Sequence, residues 1–94
     1  MVEILDEHDA SDGWSFDAQV LAPSGDLSRV RVRLSWADYN LWSPTGADTP
    51  ASVVRAVIEF LGSRLSLGDL GASFDASIAR RRFGDADESI PKLI

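Results

Sequence analysis

Three arginines recur at two-residue spacing in the stretch Leu27-Ser28-Arg29-Val30-Arg31-Val32-Arg33-Leu34. On a β-strand that spacing throws all three side chains onto one face, about 7 Å apart, a pitch that matches neighbouring phosphates or carboxylates. Arg29, Arg31 and Arg33 are therefore the candidate partner-binding residues. A solvated strand face that merely discourages edge aggregation would carry the same pattern. The second basic group, Arg80-Arg81-Arg82, is consecutive. On a helix it fans over about 200°, so the three cannot meet one surface.

Other chemistry has few residues to work with. Cysteine is absent and His8 is the single histidine, which removes thiolate catalysis, disulfides and any multi-histidine metal site within one chain. The segment Asp9-Ala10-Ser11-Asp12-Gly13 lacks the acid spacing and the closing glutamate of a calcium loop. A serine nucleophile would need His8 as its base, and no Gly-x-Ser-x-Gly elbow occurs. Gly62, Gly68 and Gly71 lack the lysine and the strand-to-helix setting of a phosphate loop. Asp85 and Asp87 could move protons, but nothing beside them marks a pocket. The expectation is a non-enzymatic protein without cofactor or metal.

Charge is divided unevenly along the chain. The net charge is −6, and all of it resides in residues 1–48, where nine acids face three bases; residues 49–94 balance. An acidic chain disfavours non-specific binding to nucleic acid or anionic membrane and suits a basic partner. The acids Glu3, Asp6, Glu7, Asp9 and Asp12 cluster near the start, so residues 1–13 read as a solvated acidic arm. Its apolar patch Val2, Ile4 and Leu5 would either add an edge strand or fray. No apolar run approaches the ~20 residues of a membrane span, and residues 1–6 do not resemble a secretory signal. A cytoplasmic location is expected.

The elements that must position the arginines follow from periodicity. Residues 14–21 alternate, with Trp14, Phe16, Ala18 and Val20 on one face, and residues 27–34 alternate again with Val30, Val32 and Leu34 inward. The turn chemistry of Pro23-Ser24-Gly25-Asp26 joins them as a β-hairpin. Pairing Val20 with Val30 places Ala18 beside Val32, Phe16 beside Leu34, and Asp17 opposite Arg33. Ser35 to Asp38 reads as a capping box opening a short helix that carries Trp36, Tyr39 and Trp42 as a core wall. Thr49-Pro50 caps the main amphipathic helix, whose apolar arc holds Val53, Val54, Val57, Ile58, Phe60, Leu61 and Leu65. Gly62, Gly68 and Gly71 mark a loose connection, and Asp75 is the expected cap of a short helix over 76–83. The aliphatic tail around Ile90 is expected to dock. The sum is an α+β fold: an antiparallel hairpin, with a third strand as an option, packed on one main helix with two short helices. Residues 14–94 form this single domain.

Residues 29–65 resemble a ribbon–helix–helix transcriptional regulator: Val30-Arg31-Val32-Arg33-Leu34-Ser35, then Thr49-Pro50-Ala51-Ser52-Val53-Val54-Arg55-Ala56-Val57-Ile58. That resemblance implies a homodimer whose Arg29, Arg31 and Arg33 read the DNA major groove. The pieces Trp14-Ser15-Phe16-Asp17, Arg33-Leu34-Ser35-Trp36-Ala37-Asp38-Tyr39, Thr49-Pro50 with its helix, and Phe74-Asp75-Ala76-Ser77 also resemble a group of short, functionally uncharacterised bacterial proteins. This second resemblance implies an architecture and no activity. The expected function is a macromolecular interaction module with a protein partner; the alternative is the DNA-binding regulator.

Overall fold

Two consecutive alternating strands with a hydrophobic face need a cover, and the order of elements supplies one. The computed structural model describes residues 1–22 and 24–94. Strands β1 (Val2–Ala10), β2 (Gly13–Leu21) and β3 (Leu27–Ser35) run first, followed by helices α1 (Trp36–Trp42) and α2 (Pro50–Arg64). A 3-10 turn (Leu67–Leu70), the short strand β4 (Ser73–Asp75), and helices α3 (Ile78–Arg82) and α4 (Ala86–Leu93) complete the chain. The fold is α+β. Its sheet has the order β1-β2-β3-β4, antiparallel through β3 and parallel between β3 and β4.

Helices cover one face of this sheet only. Phe16, Ala18, Val30, Val32 and Leu34 are buried from the sheet side, against Val53, Val54, Val57, Ile58, Phe60 and Leu61 of α2. Each large apolar side chain so buried contributes roughly 1.5–3 kcal/mol. The capping of α2 is as its sequence requires: the Thr49 hydroxyl accepts from the Ser52 N–H at 3.1 Å, with Pro50 in the first turn. The alternate residues of β2 and β3 point to the other, uncovered face.

The hairpin register differs from the expected one by two residues. Ala18 pairs with Val30, Phe16 with Val32 and Trp14 with Leu34, so Asp17 stands opposite Arg31 and not Arg33. A slip of two keeps every side chain on its face, so apolar alternation cannot detect it. The loop decides: the Ala22 N–H reaches the Asp26 carbonyl at 2.9 Å, closing the hairpin over five residues. Pro23 of the expected turn lies outside the described residues.

The acidic segment is a strand. β1 pairs with β2 along its length, and a register shift between Ile4 and Asp6 marks a β-bulge. Before the bulge, Val2 and Ile4 share rows with Val20 and Ala18 and pack on the core. After it, Asp6 and His8 share rows with Asp17 and Ser15, on the uncovered face. The bulge therefore lets one strand contribute aliphatics to the core at one end and charge to the open face at the other.

Four further details depart from the sequence reading. Trp36 is 53% exposed and lies against Trp14 with ring centroids 4.5 Å apart, so the core wall is made by Tyr39 and Trp42 alone. Gly62 lies inside α2, which runs to Arg64. Phe74 and Asp75 belong to β4, and α3 begins only at Ile78; the Asp75 carboxylate accepts from the Ser77 N–H at 2.9 Å in a tight turn ahead of it. The tail docks through Ile90, which is fully buried, but does so as helix α4 despite Pro91.

Candidate functional site

Arg29, Arg31 and Arg33 all project from β3 on the uncovered face of the sheet, as their alternation with buried Val30, Val32 and Leu34 requires. Their surroundings make them unequal. Arg31 is held by Asp17 of β2 in a two-point contact, Nε to Oδ1 at 2.8 Å and Nη2 to Oδ2 at 3.3 Å. His8 of β1, one row along, lies 3.4 Å from the second Asp17 oxygen, so three strands meet in one charged cluster. The Arg31 guanidinium holds the Asp17 carboxyl below its ordinary range, and Asp17 in turn raises Arg31. Arg29 shares a row with Gln19 and Glu3, and Arg33 with Ser15 and Asp75. Among the described residues neither of these two arginines makes an ion pair, so they are the free cations of the face.

The open face is not flat. A shallow depression of about 360 Å³ is lined by Leu5, Asp6, Asp17, Arg29, Arg31 and Ala72, among others. Leu5 occupies the bulge and is half-buried, which puts one aliphatic side chain among charged ones. Residues sequence reasoning missed here are Leu5, Asp6 and His8; their signal was an apolar-to-acidic switch within one strand, which reads as the end of a strand unless a bulge is allowed.

The arginine strand is an interior one. β2 pairs with it along one edge, and on the other the Arg31 N–H donates to the Ala72 carbonyl at 2.8 Å while the Arg33 carbonyl accepts from Ala76 at 2.7 Å. The Arg80-Arg81-Arg82 group is divided as helical geometry demands. Arg80 turns inward, its Nη1 on buried Asp38 at 3.1 Å and its Nε on Asp87 at 3.0 Å, while Arg81 and Arg82 are exposed. Asp87 also accepts from the Trp42 indole N–H at 3.0 Å. This network joins α1, α3 and α4 and is structural.

Among the described residues no three His, Asp or Glu side chains converge as metal ligands, and no buried side-chain nitrogen or oxygen lacks a partner. No described helix is long and apolar enough to cross a membrane. No protein-family model matches the chain, and neither a curated protein nor a solved structure is significantly similar to it.

Proposed function

We propose that the protein is a non-enzymatic interaction module that binds a protein partner through the uncovered face of its sheet. The observation that carries this reading is the arrangement of that face: Arg29 and Arg33, neither in an ion pair among the described residues, flank a fixed Arg31–Asp17 pair beside the half-buried Leu5. Free guanidiniums recognise carboxylates by forked, charge-assisted hydrogen bonds, and an aliphatic centre supplies the apolar contact that interface cores need. Arg31, already paired, sets the spacing of the other two.

A protein surface bearing carboxylates fits better than DNA. Asp6, Asp17 and Asp75 are interleaved with the arginines, so the face has no continuous positive stripe to follow a phosphate backbone. A ribbon–helix–helix dimer also needs the arginine strand free to pair with a second copy, whereas here β2 pairs along one edge and β4 covers the Arg31 to Arg33 part of the other. A salt-series mobility shift with duplex DNA is expected to show no band that Arg31→Ala removes.

Site-specific photo-crosslinking tests the reading. A photoreactive side chain at Gln19, on the open face in the row of Arg29, is expected to form a protein adduct in the source cell; the same group at Arg55, exposed on α2, is not. Equal adducts at both positions, or none at Gln19, contradict it.

A further inference from the structure

A second concavity lies away from the arginine face, where the end of the hairpin meets the C-terminal half of α2. It is a half-open groove of about 540 Å³, within the range of small-molecule sites. Val2 and Val20 line it from the sheet, Ile58 from α2, and Leu65 and Leu67 from the segment after the helix. Two carboxylates line it as well: Glu59, without an ion-pair partner among the described residues, and Asp26, which accepts from the Ser24 hydroxyl at 3.1 Å.

No lysine or arginine is among the lining residues. The positive group at the groove, the Met1 amino group, donates to the Leu21 carbonyl at 3.2 Å. The C-terminal end of α2, with the negative pole of its dipole, lies alongside at Gly62 and Leu65. The lining is more apolar than polar, and its charged groups are two carboxylates and the one ammonium, which is already engaged by a carbonyl.

Two glycines also line the groove, and the backbone gives neither a reason to be glycine. Gly62 lies within α2 at ordinary helical φ, and a Cβ there would meet nothing within 4 Å. Gly68, also without positive φ, would place a Cβ 3.7 Å from the Ser66 hydroxyl, an ordinary contact. Glycine inside a helix is less stable than alanine by about 1 kcal/mol. Both glycines line the groove, and a Cβ at Gly62 would have open space around it.

We propose that this groove binds a small amphipathic cation, an aliphatic or aromatic body carrying an ammonium or guanidinium group. The body lies against Val20, Ile58 and Leu65 over the glycines, and the charged head is drawn to Glu59 and Asp26. This site is separate from the arginine face and stands whether or not that face binds a protein.

The test is an amide-detected NMR titration of the full chain with n-hexylammonium and, in parallel, hexanoate. Hexylammonium is expected to give saturable shifts centred on residues 20–28 and 58–68, with hexanoate at least about tenfold weaker, because it sets a like charge beside Glu59. Gly62→Leu is expected to abolish the shifts and Gly62→Ala to retain them, with circular dichroism confirming both folds. Should Gly62→Leu not fold, Glu59→Lys is expected to reduce hexylammonium binding about tenfold. Absence of saturable shifts, shifts centred elsewhere, equal binding of hexanoate, or indifference to the groove variants would overturn the proposal.

Discussion

Arg31 and Asp17 face each other across β2 and β3 in a two-point contact, with Nε 2.8 Å from Oδ1 and Nη2 3.3 Å from Oδ2. The pair fixes the middle of the open face and leaves Arg29 and Arg33 as the cations without an ion-pair partner there among the described residues. It also marks the true hairpin register, since the expected register would have put Asp17 opposite Arg33. The hydrogen bonds from Arg31 are the main reason that Asp17 titrates below the ordinary 3.8, with His8 acting in the same sense. In Arg31→Met, carboxyl-detected NMR is expected to show the Asp17 midpoint rising.

A second ion pair makes a pH prediction. Arg64 of α2 pairs with Asp85 and holds its carboxyl down at about 2 from 3.8. A carboxylate whose pKa is lower folded than unfolded binds fewer protons in the folded state, so its stabilising effect is complete above the unfolded value. That contribution fades as pH falls from about 4 toward 2. Arg64 also lies over the Phe60 ring, 4.6 Å from its centroid. Acid unfolding of Arg64→Met is expected to lack this component of the stability loss, measured by urea melts at pH 5, 3 and 2.

The arginine triplet is expected to separate by position. Arg80→Ala removes the cation from Asp38, whose residue is only 4% exposed, and leaves a buried carboxylate without its charge partner. The expected loss is about 2 kcal/mol, below the 3–5 kcal/mol of a fully buried pair because Arg80 is itself partly solvated. Arg81→Ala and Arg82→Ala, both at exposed positions, are expected to stay within about 0.5 kcal/mol. Chemical denaturation of the three variants checks this.

Gly13 opens β2 in close contact with the backbone of β3. A Cβ there would sit 2.0 Å from the Leu34 carbonyl oxygen, a backbone atom of β3 that cannot swing aside. Gly13→Ala is expected to destabilise the fold by about 3 kcal/mol, the upper end of overpacking costs. Thermal melts of the variant and of Gly84→Ala, where φ is not positive and a Cβ would meet nothing within 4 Å, give the comparison.

Much of the fold was legible because its signals are local. Alternation marked β2 and β3, and Thr49-Pro50 marked the start of α2, whose apolar arc is the buried one. What stayed hidden depends on partners distant in sequence. β4 has three residues, too few to alternate, and exists because β3 offers a free edge. The β1 bulge converts an apolar-then-acidic stretch into one strand. Helix α4 contains Pro91, and its buried Ala86 and Ile90 become intelligible only once they are seen against the core. For the site, spacing placed the three arginines on one face; the neighbour of Arg31, and with it the distinction between bound and free guanidiniums, needed the register.

The most direct measurement of the central claim is quantitative affinity capture from the source cell with three baits: the natural chain, Arg29→Glu/Arg33→Glu, and Arg81→Glu/Arg82→Glu as an equal change of charge on exposed helical residues. The open face as partner surface predicts at least one protein retained by the natural chain and the helical variant and lost, about tenfold or more, by the strand variant. Identical captures by the two charge-reversed chains, both folded by circular dichroism, would contradict it.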